Sequence, residues 1–78
     1  MTLEIVTPFK KAFTGEAGHV ILPGSQGEFG VLPGHAALLA TLQPGTLKVD
    51  GKAFKIGEGF VEVGGSRVVV LTESCEDG

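Results

Sequence analysis

Side-chain character alternates at every second residue along most of this chain, and 13 glycines and 4 prolines interrupt the alternation at short intervals. A period of two places successive side chains on opposite faces of a strand, whereas a helix needs apolar residues three and four apart. The pattern predicts Leu3–Thr7 as a first strand with Leu3, Ile5 and Thr7 on one face. It predicts further strands over Lys11–Glu16, His19–Leu22 and Glu28–Leu32, the last two joined by a turn at Gly24–Gly27. Asp50-Gly51 lies between Leu47–Val49 and Ala53–Ile56, and Gly64-Gly65 between Phe60–Val63 and Arg67–Leu71. Both dipeptides suit a two-residue hairpin whose central residues need positive φ. Arg67–Leu71 holds four apolar residues in succession, which predicts a strand covered on both faces. His35–Leu42 reads equally as one helical turn or a strand. The fold class is therefore all-β, a flattened two-sheet sandwich or barrel of about ten short strands forming one domain over residues 1–78.

Length and charge narrow the function. A chain of 78 residues buries only about 60–65% of its unfolded surface, so its core is small and its stability modest without a partner. The formal charge is −3 and the pI about 5.2. The six basic residues, Lys10, Lys11, Lys48, Lys52, Lys55 and Arg67, form no run longer than two, which argues against a nucleic-acid ligand. A lone Cys75 forms no internal disulfide and favours a reducing compartment. No signal-peptide pattern opens the chain, and no apolar stretch approaches the roughly 18–20 residues of a membrane span. A soluble domain without direct membrane insertion is expected, monomeric when isolated.

Catalytic signatures are missing from the sequence. The spacing of Gly24, Gly27 and Gly30 matches neither phosphate-binding glycine pattern and leads into a strand instead of a helix N-terminus. Ser25 has no nucleophile-elbow context, and His19, His35 and Cys75 are too dispersed to suggest a metal site. No catalytic group, cofactor or metal is predicted. Taken alone, His19 reads as a half-buried strand residue, His35 as a turn residue and Glu28 as a solvated hairpin carboxylate. Phe9, Phe13, Phe29, Phe54 and Phe60 read as core or sheet-face packing, with Phe29 also placed to anchor an interface.

The run Gly27-Glu28-Phe29-Gly30-Val31-Leu32-Pro33-Gly34-His35-Ala36, with Leu3–Thr7, Phe13–Ala17 and Val68–Thr72 around it, resembles the N-terminal β-sandwich domain of the ε subunit of the F-type ATP synthase. The likeness extends over essentially the whole chain. It implies a flattened sandwich at the foot of the central stalk that touches the γ subunit and the loops of the membrane c-ring and couples rotor parts without catalysing anything. It implies a peripheral position on the cytoplasmic face of a bacterial plasma membrane. By the same likeness Gln26, Gly27, Glu28 and Phe29 face the c-ring, while His35, Thr7, Leu38 and Leu42 belong to the γ side.

Two departures from the family pattern stand out. Ala37 occupies a position that is commonly proline, which loosens the corner after His35-Ala36. The family commonly continues into a C-terminal helical hairpin that inhibits hydrolysis and in some members binds ATP, whereas Ser74–Gly78 carries no amphipathic helical pattern, so neither property is expected of this chain. A small adaptor or carrier domain is the alternative reading, with Lys52 beside Asp50-Gly51 as its only near candidate for modification. A β-barrel nucleic-acid binder comes third, disfavoured by sparse bases and the absence of tyrosine and tryptophan.

Overall fold

Ten strands form where period-two segments meet turn residues, and the computed structural model describes residues 1–78 without a helix. They are β1 (Thr2–Val6), β2 (Lys11–Glu16), β3 (Val20–Gly24), β4 (Gly27–Val31), β5 (Leu38–Leu42), β6 (Gly45–Val49), β7 (Lys52–Ile56), β8 (Gly59–Gly64), β9 (Arg67–Thr72) and β10 (Cys75–Asp77). One continuous sheet runs β10-β7-β6-β3-β5-β8-β9-β1-β2, with β4 attached to β3. All pairings are antiparallel except β1 with β9, where the chain's first strand lies parallel to its ninth. The sheet curls into a nearly closed, flattened barrel of 28 × 26 × 22 Å. Across the remaining seam Phe13 of β2 meets Phe54 of β7, ring centroids 5.3 Å apart.

Alternation fills the interior. Leu3 and Ile5, Val20 and Leu22, Val61 and Val63, and Val68 and Val70 are consecutive inward positions of four strands, and they pack with Val31, Leu42, Leu47, Val49, Phe54 and Ile56 in one core. Each such side chain contributes about 1.5–3 kcal/mol by leaving water, which sets the register of every strand. The Asp50-Gly51 turn forms as the sequence predicts, with φ of 47° and 86°. Residues 38–42 settle as strand β5, because Leu39 and Thr41 pair with Glu62 and Phe60 of β8.

Four expectations change. Arg67–Leu71 is not covered on both faces: Val68 and Val70 are buried, Val69 is half-buried and Leu71 is 39% exposed. The second hairpin turns at Gly65-Ser66, one residue later than predicted, because Gly64 still pairs with Arg67, and only Gly65 has positive φ. Strand β3 runs on through Pro23, whose backbone carbonyl accepts the Gln43 N–H at 2.9 Å. A strand residue's N and carbonyl point the same way, so the missing Pro23 donor falls where β3 has left β6 and only Gly24 reaches β5. His19 is exposed just before β3, its backbone N–H bonded to the Asp50 carboxylate, instead of half-buried within a strand.

Candidate docking surfaces

The residues predicted for two separate surfaces largely meet at one hollow. Strand β4 and strand β5 diverge from β3, and the loop between them makes a tight turn in which Pro33 fixes φ, Gly34 adopts φ 85° and the His35 N–H bonds to the Leu32 carbonyl at 3.0 Å. This return carries His35 and Leu38 to the β3–β4 turn. Gln26, Gly27, Phe29, His35, Leu38 and Leu39 thus border an open hollow of about 600 Å³. The turn is stitched to β5 by Ser25 N–H to the Thr41 carbonyl and by the Gln43 side-chain amide to the Gly24 carbonyl. Gly24 is needed there, since a Cβ would lie 2.9 Å from the Phe29 ring and 2.6 Å from the Gly27 carbonyl oxygen.

Individual side chains divide by role. Nδ1 of His35 lies 2.6 Å from the Ala36 carbonyl, which only accepts, so Nδ1 carries the proton and Nε2 is left for a partner. Glu28 is exposed on β4 and makes no ion pair, while Phe29, its neighbour on the opposite face, packs half-buried against the core. Leu38 is half-buried and Leu39 is 71% exposed. Leu42 is 1% exposed and lies in the core, so it supports the strand from behind and offers no surface. Thr7 is also buried, and its hydroxyl is consumed by the β1–β2 turn: it donates to the Lys10 carbonyl and accepts from the Phe9 and Lys10 N–H groups.

Sequence reasoning missed a larger feature, the outward face of β1, β9, β8 and β5. Strand pairing puts Val6, Leu71, Phe60 and Thr41 in one row across these strands, and Glu4, Val69, Glu62 and Leu39 in the next. Phe60 is 46% exposed, and with Val6, Pro8 and Leu71 it lines a second hollow of about 400 Å³. Phe60 lines the hollow near Thr7, and its strand partner Thr41 borders the hollow near His35. The available signal was phase: each of these strands sets an apolar residue, Val6, Leu71, Phe60 or Leu39, at an outward position where solvent would favour a polar one, although Glu4, Glu62 and Thr41 share the face. Glu4 is the counterpoint on this face, taking Lys11 at 3.2 Å on one oxygen and Arg67 on the other, and these contacts hold its carboxyl below the usual value.

Other chemistry is sparse. No group of three His, Cys, Asp or Glu side chains converges, and no helix is long and apolar enough to cross a membrane. Lys52 opens β7, with its ammonium over the rings of Phe13 and Phe54 at 5.7 and 5.2 Å, so it is packed on aromatics instead of presented at a hairpin tip as a carrier lysine would be.

The chain is thus a small, curled all-β domain whose outward sheet face exposes Leu39, Phe60 and Leu71 beside a polar turn. The chain belongs to the family of the ATP synthase delta/epsilon chain β-sandwich domain, which it matches over residues 1–78. It is 49% identical to an ATP synthase epsilon chain of Desulforamulus reducens over 78 residues, covering 95% of this chain and 59% of that one. It is 47% identical to the epsilon chain of Chlorobaculum tepidum, covering 92% of this chain and 88% of that one. The chain thus spans about three-fifths of the length of the first of these relatives. Its fold superposes on a chain of the Euglena gracilis mitochondrial ATP synthase with TM-score 0.88 at 26% identity, covering 96% of this chain and 51% of that one. A chain from the central stalk and c-ring of the Tetrahymena thermophila enzyme shares the fold with TM-score 0.85 at 19% identity, covering 99% and 66%.

Proposed function

We propose that this domain is a non-catalytic rotor part of a proton-translocating ATP synthase, holding the γ subunit to the c-ring at the cytoplasmic face of a bacterial plasma membrane. The observation that carries this reading is the outward apolar face of Val6, Leu39, Phe60, Val69 and Leu71, which a free domain would leave in water. Its family membership supports the assignment, as does its likeness to the Euglena chain, whose structure is described as containing F1 and the c-ring. In this reading the apolar face and the adjoining His35–Leu39 segment pack on γ, and the polar Gln26–Glu28 turn meets the c-ring loops.

Torque transmission requires a dry, well-packed patch, and an exposed ion pair at its rim is worth only about 0–1 kcal/mol. Leu39→Asp would bury an unpaired carboxylate and should weaken γ binding far more than Glu28→Ala. Titration of purified γ with each variant, after circular dichroism has established that both fold, tests the ranking. Equal losses, or no binding by the unsubstituted domain, would overturn the assignment of this face.

A further inference from the structure

The apolar face carries one carboxylate that makes no ion pair within the domain. Three ion pairs exist, Met1 amino to Glu16, Lys11 to Glu4 and Arg67 to Glu4, and none involves Glu62. Glu62 is exposed at the middle of β8, directly across from Val69 of β9 on one side and Leu39 of β5 on the other, with Phe60 two residues along the same face. Arg67 borders the same hollow as Glu62, but it pairs with Glu4, as Lys11 does, and neither cation forms an ion pair with Glu62.

A partner that covers Phe60, Leu71 and Leu39 must take water from Glu62 as well. Desolvating a carboxylate without a counter-charge opposes binding, while a basic group placed opposite it would gain both attraction and register. We infer that the surface docking on this face presents a lysine or arginine side chain within an apolar strip, and that this cation pairs with Glu62 and fixes the orientation of docking. Glu4 plays no equal part because both of its oxygens are already taken by cations within the domain. The inference rests on the docking reading above and adds the chemistry of the partner.

The test is titration of purified γ subunit with the domain and with Glu62→Gln, Glu62→Lys and Phe60→Asp variants at low and high salt. Glu62 is exposed, so its substitutions leave the core untouched. Glu62→Gln should weaken binding roughly tenfold or more, Glu62→Lys should weaken it further, and the salt dependence should be flatter for Glu62→Gln than for the parent domain. Loss of binding by Phe60→Asp together with unchanged affinity or an unchanged salt slope for Glu62→Gln would overturn the cation while leaving the docking face in place. Full binding by Phe60→Asp would overturn both.

Discussion

The carbonyl oxygen of Leu71 lies 2.0 Å from where a Cβ on Gly59 would stand. Gly59 opens β8 opposite Thr72 and Leu42, so the obstruction is backbone and cannot swing aside as a side chain would. Gly59→Ala must separate β8 from β9 at the row that carries Phe60 and Leu71. A loss of about 3 kcal/mol or more is expected by urea denaturation, at the upper end of the cost of overpacking. Gly64→Ala, at the other end of the same strand, meets nothing within 4 Å and has no positive φ. It should be neutral or stabilise by up to about 1 kcal/mol through the unfolded chain.

Asp50 serves two needs with one side chain. It adopts φ 47° in the β6–β7 turn, and its carboxylate accepts the Gly18 N–H at 3.0 Å and the His19 N–H at 3.0 Å. Those donors lie more than thirty residues earlier in the chain, so the contact ties the β2–β3 turn to a distant hairpin. Asp50→Ala gives up both the left-handed preference and the acceptor, and should cost about 2–3 kcal/mol. Asp50→Asn retains the first and part of the second and should cost under half as much. Thermal melting of the two variants measures the difference, and equal losses would show that the left-handed preference carries little and that the two N–H groups need the full carboxylate.

Core strands and the Asp50-Gly51 hairpin were legible in the sequence because both depend on local rules: alternation against one interior, and a turn that requires positive φ. The Gly64-Gly65 turn was misplaced by one residue because the register of β8 on β9 is fixed by Val61 and Val63 entering the core, a nonlocal constraint. Pro23 hid the end of β3, since a proline fits there only because the sheet forks, which no local pattern reveals. The outward row of Phe60 and Leu71 was hardest to see. An apolar residue on an exposed face and one facing a second sheet look alike in sequence, so the run of four within Arg67–Leu71 reads as covered on both faces when Leu71 is 39% exposed. Thr7 illustrates the reverse case, a residue matched to a surface whose hydroxyl the structure spends on its own turn.

Glu4 makes acid stability depend on the outward face. Hydrogen bonds from Lys11 and then Arg67 lower its carboxyl from the ordinary value of 4.5, so the native state favours the ionised form more than the unfolded chain does. The resulting stabilisation is fully present above 4.5 and disappears as pH falls through the lowered native value. Glu4→Gln should therefore melt below the parent domain at neutral pH, and the two should converge in acid. High salt should shrink the neutral-pH gap, because Lys11 and Arg67 are open to solvent. A gap that persists unchanged into acid would mean that packing of the Glu4 stem, and not its charge, is responsible.

Cys75 begins the short strand β10, half-buried against the core beside the seam where Lys10, Ala12 and Phe54 approach. Burial raises its thiol above the ordinary 9.0, Asp77 and Glu76 raise it further, and Lys10 offsets part of the rise. Thiolate is the reactive form, so the native domain should react with a disulfide reagent at mildly alkaline pH more slowly than the urea-unfolded chain. Asp77→Asn removes the larger of the two charge effects and should speed the native reaction severalfold, less so in high salt. The same shift has a stability consequence of opposite sign to that of Glu4. With its pKa raised in the native state, Cys75 contributes stability that is complete below 9.0 and is lost as pH rises through the native value. Urea midpoints of the parent and Cys75→Ser should keep a constant separation near neutrality, and the parent should lose ground relative to the variant as the thiol ionises. A constant separation throughout the alkaline range would show that β10 leaves Cys75 as open to water in the native state as in the unfolded chain.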